Sequence, residues 1–349
     1  LKRRNFIWAL SVSSIAGAVS PAKMFPAISK NKNIIRPKKI RKGDTVGIIA
    51  PGSFITEDEL KETLENIRKL GCKPYYTNNI LKRDGYLAGT DKERADDVHE
   101  MFSNPNVDWI LAARGGYGCS RILPMLDYKL IRDNPKILMG YSDITALLYA
   151  IYSRTGLIGF HGPVGISTFN DFSLDYINKV LFEANRKITL KSKEEEFNGQ
   201  KIPFTIRSGK SRGKLIGGNL TLAVSLIGTK YDVDYSGKIV FLEEVGEEPY
   251  RIDRMLTQMI EAGKFNNAAG IVLGKFWDCE IKKEKPEFKE SFTLTEVLYD
   301  RLFQLDIPIF YGASFGHITN KFVLPIGVEA EMDAVEKTIT LLESAVVTE

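Results

Sequence analysis

The chain has 349 residues, 44% of them hydrophobic and 26% charged, with a formal net charge of +4. That is enough for two domains with a sizeable core, and ordinary for a globular protein. The small, mixed charge excludes a nucleic-acid footprint. The three separated cysteines, Cys72, Cys119 and Cys279, exclude a zinc site or a dense disulfide framework. Outside the N-terminus no segment has the length and apolarity of an ordinary membrane span.

Residues 1–22 read as a targeting segment. Lys2-Arg3-Arg4 forms a basic n-region, residues 6–19 a short apolar h-region, and small residues follow. The twin arginines before Asn5-Phe6-Ile7 resemble a twin-arginine export signal, which implies a periplasmic or surface protein. An uncleaved membrane anchor is the competing reading, and a cytoplasmic location the less favoured one. Residues 1–36 are thus taken as export signal and lead-in.

TVGIIA at 45–50 is a buried-strand run stopped by Pro51-Gly52-Ser53. Residues 56–70 carry Leu60, Leu64, Ile67 and Leu70 at helical spacing, acidic early and basic late, and Gly71 closes them. Strands are predicted at 73–79 and 107–113, with a helix at 92–102 between them. KILMGYSDITALL at 136–148 reads as strand, sharp turn and a helix that ends near Gly156. Strands alternating with helices predict a parallel sheet covered on both faces. From 166 to 213 the pattern weakens and charge accumulates, which predicts an interdomain connection with a few short strands. A second α/β unit begins near Lys214. It has strands at 238–242, 269–273 and 308–311, helices at 220–227, 250–262 and 294–305, and a closing hairpin around Asp333-Ala334.

Ser142 lies at the tip of the strand-to-helix turn, beside a helix N-terminus whose free N–H groups favour negative charge. This is the logic of a nucleophile elbow, half matched to Gly-x-Ser-x-Gly: Gly140 is present, but Ile144 replaces the second glycine. The plain alternative is that Ser142 or Asp143 only caps the helix. Arg114-Gly115-Gly116-Tyr117-Gly118 follows the preceding strand. Its glycines allow close backbone approach to a ligand. The spacing fits neither a dinucleotide fingerprint nor a P-loop. Both turns fall at strand carboxyl ends, where open α/β sheets place ligands.

A serine nucleophile needs a base. Of the three histidines, His99 sits in a charged helix and is expected to face solvent; His161 and His317 each follow a strand and touch glycine. Either could serve. His317 has the added feature of following a strand-end acid, Glu243, giving the order Ser142, Glu243, His317, one of several in which such triads occur. Glu244 and Glu247 are alternative acids. The N–H groups of Gly116 and Asp143 are the candidate oxyanion donors.

These stretches resemble the LD-carboxypeptidases (murein tetrapeptide carboxypeptidases) and their microcin-resistance relatives. The resemblance rests on GDTVGIIAPGS at 43–53, ARGGYG at 113–118, GYSDIT at 140–145, FHGP at 160–163, GGNL at 217–220, FLEEVGEEPYRIDRML at 241–256 and FGH at 315–317. It implies a metal-independent Ser142–Glu243–His317 serine peptidase that uses no cofactor, with an oxyanion hole from Gly116 and Asp143. It also implies an α/β fold in two domains: a mostly parallel nucleophile domain at 37–165, then, beyond the 166–213 connection, a C-terminal α/β domain at 214–349 supplying acid and base. The implied substrate is a peptidoglycan-derived tetrapeptide losing its terminal D-alanine at an L,D bond. Arg114, beside the glycine turn, is a candidate for gripping the terminal carboxylate. Alternatives are an amidase that detoxifies peptide antibiotics and an exported solute-binding protein. The sequence leaves the oligomeric state open, with a homodimer among the options.

Overall fold

The alternating signals of the first half assemble into an open sheet. The computed structural model describes residues 33–197, 199–281 and 291–348, so the export segment read at 1–22 lies outside the described residues. Strands β1 (Thr45–Ile49), β2 (Lys73–Tyr75), β3 (Trp109–Ala112), β4 (Ile137–Gly140) and β5 (Phe160–His161) run parallel in the spatial order β5-β4-β3-β1-β2. Every residue of β3 and β4 is buried, as strands covered on both faces require. Helix α1 (Glu57–Lys69) opens with a capping box: the Thr56 hydroxyl accepts from the Glu59 N–H, and the Glu59 carboxylate from the Thr56 N–H. Leu60, Ile67 and Leu70 are buried beneath it, each contributing about 1.5–3 kcal/mol. Helix α2 (Asp91–Ser103) repeats the device with Thr90 and Glu93. Short helices α3 (Cys119–Ile122) and α4 (Tyr128–Asp133) precede α5 (Ile144–Thr155), which stops at Gly156 in the left-handed conformation with φ 82°. Helix α6 (Asp171–Ile177) ends this half.

The second sheet is built from β6 (Ile188–Lys191), β9 (Phe204–Arg207), β10 (Lys210–Asn219), β11 (Lys238–Glu243), β12 (Gly270–Gly274), β13 (Ile309–Ala313), β15 (Glu329–Asp333) and β16 (Thr338–Leu341), in the order β6-β16-β15-β10-β11-β12-β13-β9. Its centre, β10 to β13, is parallel; its flanks are antiparallel. Helices α7 (Leu220–Ser225), α8 (Pro249–Glu261) and α9 (Leu294–Leu302) belong to this half. Strands β7 (Glu195–Phe197) and β8 (Gln200–Ile202) form a separate small hairpin. The stretch read as a connection thus contributes strands to both edges of this sheet. β6 pairs with β16 and β9 with β13, partners more than a hundred residues later. Such pairings leave only short alternating segments in the sequence, here buried and exposed by turns in β6.

Two features hold the halves together. Strand β14 (Leu324–Pro325) leaves the second half and pairs antiparallel with β5, so the loop at 314–323 is strung between the two sheets. Helix α5 is buried on nearly all sides. One face covers its own sheet; the other meets β10 and α7, where Thr145 Oγ1 accepts from the Asn219 N–H at 3.0 Å, and the segment before β11, where the Tyr149 and Tyr235 hydroxyls meet at 2.9 Å.

Candidate active site

The turn between β4 and α5 holds Ser142 at φ 64°, in the left-handed region. A non-glycine residue there stores about 1–3 kcal/mol of strain, and such residues cluster at functional sites. Gly140 is needed because a β-carbon at this position would press on the Ile144 side chain. Ile144 itself is fully buried over Gly140, so no second glycine is required. The capping alternative does not describe Asp143. Its carboxylate makes no cap hydrogen bond to α5; it accepts from the Cys119 N–H at 2.8 Å and so ties the elbow to the start of α3. Burial pushes the Asp143 carboxyl above its ordinary range, with the Cys119 hydrogen bonds opposing.

The glycine turn closes over this elbow. A β-carbon on Gly115 would come within 2.7 Å of Ser142 Cβ and 3.2 Å of Asp143 N. Gly116, at φ 99°, packs on the Ser53 side chain. Ser53 clips the turn from the β1 side: its N–H donates to the Gly115 carbonyl at 3.3 Å and its hydroxyl accepts from the Tyr117 N–H at 3.1 Å. Buried Arg94 completes the clip, donating to the carbonyls of Pro51 and Gly118 and pairing with Asp91. Sequence reasoning passed over both residues, because neither lies in a recognisable spacing with Ser142.

Glu243, the last residue of β11, is fully buried, and its Oε2 lies 2.8 Å from His317 Nδ1. Burial alone would raise this carboxyl; the adjacent imidazole outweighs it and holds the group below the ordinary carboxylate range. Gly316, at φ 102°, is required here, since a β-carbon would press on the Glu243 carboxylate. The His317 ring lies edge-on to Tyr141, centroids 4.8 Å apart, and Tyr141 directly precedes Ser142. The structure therefore brings Ser142, Glu243, His317, Gly116 and Asp143 to one region at the junction of the two sheets. The alternative acids are occupied elsewhere. Glu244 accepts from Asn219 Nδ2, the Thr221 N–H and hydroxyl and the Val245 N–H, and Glu247 pairs with Arg251 at 3.5 Å. Arg114, expected to be available for a carboxylate, already holds Glu59 at 2.9 Å. His99 is half-buried rather than free in solvent, its Nε2 accepting from the Asp127 N–H. All three cysteines are buried and unpaired.

His161 is enclosed by the rings of Tyr141, Phe241 and Phe315, and neither of its ring nitrogens has a hydrogen-bond partner among the described residues. Burial pushes its pKa down to about 4 from an ordinary 6.5. The unfolded chain therefore takes up a proton near pH 6.5 that the folded chain refuses until about pH 4. Stability is full above pH 6.5 and falls across that window by about 3 kcal/mol. Denaturant unfolding at stepped pH should show this loss in the parent protein and a shallower one in His161→Asn. Equal slopes would place the acid sensitivity elsewhere.

An open parallel lobe offering a strained elbow to a carboxylate–imidazole pair from a second lobe is the design of a two-lobed α/β enzyme. Residues 46–162 match the LD-carboxypeptidase N-terminal domain and residues 212–332 the LD-carboxypeptidase C-terminal domain. The chain is 41% identical over 308 residues to the "probable murein peptide carboxypeptidase" of Bacillus subtilis, covering 88% of this chain and 94% of that one. It is 32% identical over 295 residues to the murein tetrapeptide carboxypeptidase of Pseudomonas aeruginosa, covering 82% and 92%. The structure of MccF in complex with glutamyl sulfamoyl guanosine superposes with a TM-score of 0.80 at 28% identity, covering 89% of this chain and 99% of that one. The chain belongs to the LD-carboxypeptidase family and is a peptidase of that family, which displaces the solute-binding alternative.

Proposed function

We propose that this peptidase cleaves the L,D bond before the terminal D-alanine of murein tetrapeptides, with Ser142 as nucleophile, His317 as base and Glu243 as the acid that orients it. The observation that carries this is the 2.8 Å Glu243–His317 contact, set against Tyr141 and the left-handed Ser142. Because Nδ1 faces Glu243, Nε2 is the nitrogen left to take the serine proton and return it to the leaving amine. The carboxylate fixes the tautomer and stabilises the imidazolium that forms. Negative charge on the tetrahedral oxygen would be met by the N–H groups of Gly116 and Asp143. Neither N–H has an acceptor among the described residues, and the second opens the N-terminus of α5, where the helix dipole adds to the stabilisation. Losing one such donor typically costs about 3–4 kcal/mol.

The likeness to MccF favours a second reading, hydrolysis of an amide in a peptide antibiotic by the same machinery. Incubating the protein separately with a murein tetrapeptide and a peptide antibiotic, with products read by mass spectrometry, separates the two. Free D-alanine from the first, absent with Ser142→Ala, is the expected result. Cleavage of the antibiotic alone would replace this reading with the second, and turnover retained by Ser142→Ala would reject the nucleophile.

A further inference from the structure

A carboxypeptidase must recognise a free terminal carboxylate, and the residue first expected to do so is committed to Glu59. Among the described residues, Lys321 is a buried cation beside the elbow with no carboxylate in ion-pair range and no hydrogen-bond acceptor on its ammonium. Burying an ammonium without a partner is costly, by several kcal/mol even after relaxation. Such a charge is tolerable where a ligand completes the pair. Only 5% of Lys321 is exposed, and the ammonium is part of what remains open, since Nζ is absent from the fully enclosed polar atoms that lack a partner.

Its position fits a substrate terminus. Nζ stands 5.4 Å from the centroid of the Tyr141 ring, which also packs edge-on against the His317 ring at 4.8 Å, and Tyr141 directly precedes Ser142. The loop that carries Lys321 is held on both sides. The Lys321 N–H donates to Ser173 Oγ at 3.1 Å, the Phe322 N–H donates to the Ser314 carbonyl at 2.7 Å, and β14 follows at once. A C-terminal residue extends about 3.5 Å beyond the scissile bond, so its carboxylate lies one residue past the carbonyl attacked at the elbow. Burial also pulls the Lys321 pKa down to about 8, with Glu243 opposing, and an arriving carboxylate would reverse that.

Building on the peptidase reading above, we propose that Lys321 receives the α-carboxylate of the substrate's C-terminal residue and so restricts the enzyme to releasing a single terminal residue. The test compares one tetrapeptide as free acid and as C-terminal amide, in the parent protein, Lys321→Met and Lys321→Arg. The parent should favour the acid in kcat/KM, mainly through KM. Lys321→Met should shrink the acid-over-amide ratio by about 100-fold, the loss of one charge-assisted contact, and Lys321→Arg should recover most of it. Because both peptides are measured on each protein, a general loss of folding cancels. An unchanged ratio in Lys321→Met overturns the proposal. Calorimetric binding of the same two peptides to Ser142→Ala separates this proposal from the peptidase reading. Preference for the acid that Lys321→Met abolishes, in a protein whose parent releases no D-alanine, would discard the D-alanine-releasing reading and keep the carboxylate site. Equal binding of acid and amide, or none of either, discards the carboxylate site.

Discussion

Ser142→Gly and Ser142→Ala should both lose at least about 10⁴-fold in kcat on a murein tetrapeptide, yet Ser142→Gly should be the more stable of the two by about 1 kcal/mol. On the proposed mechanism the activity loss follows from removing the hydroxyl, while the N–H groups of Gly116 and Asp143 stay in place. The stability order follows from the backbone. At φ 64° a β-carbon crowds the neighbouring carbonyl, and glycine alone escapes the penalty. Its greater freedom in the unfolded chain takes back part of the gain. Paired thermal melts and product assays read both quantities. Ser142→Ala melting at or above Ser142→Gly would mean that the turn is not held in the left-handed conformation, and the elbow would lose its physical basis.

Glu243→Gln and Glu244→Gln should divide activity from stability between adjacent residues. Glu243→Gln turns an acceptor toward Nδ1 into a donor, or leaves Nδ1 unserved. The imidazole then carries its proton on Nε2 and cannot accept one from serine, so kcat should fall by about 10⁴-fold with the fold retained. Glu244→Gln should leave kcat near that of the parent and destabilise the protein by about 3 kcal/mol. Its carboxylate satisfies four donors, among them the Asn219 side chain and the Thr221 N–H at the start of α7. An amide presents one acceptor atom and two unwanted hydrogens to them. A large kcat loss in Glu244→Gln with Glu243→Gln unaffected would exchange the two roles.

The local elements were legible in the sequence because their causes are local. The helical spacing and charge order of 56–70, the glycine stop at Gly156, the apolar runs of β3 and β4 and the Gly140–Ser142 turn are all short-range patterns of backbone and solvent preference. The ordered motifs also singled out Ser142, Glu243 and His317 by type and order. What they could not convey is engagement. That Arg114 is taken up by Glu59, that Glu244 is spent on α7, and that Lys321 is buried with no ion-pair partner among the described residues depend on contacts between residues far apart in the chain. The short strands expected in 166–213 could not be assigned to the edges of the second sheet for the same reason, since β6 and β9 pair with strands that come more than a hundred residues later. Sequence alone determined which chemical groups this chain has and which local turns present them. The tertiary structure decided which of those groups are already paired and which are left for a ligand, because a charge buried in a low-dielectric site is governed by what the fold places beside it.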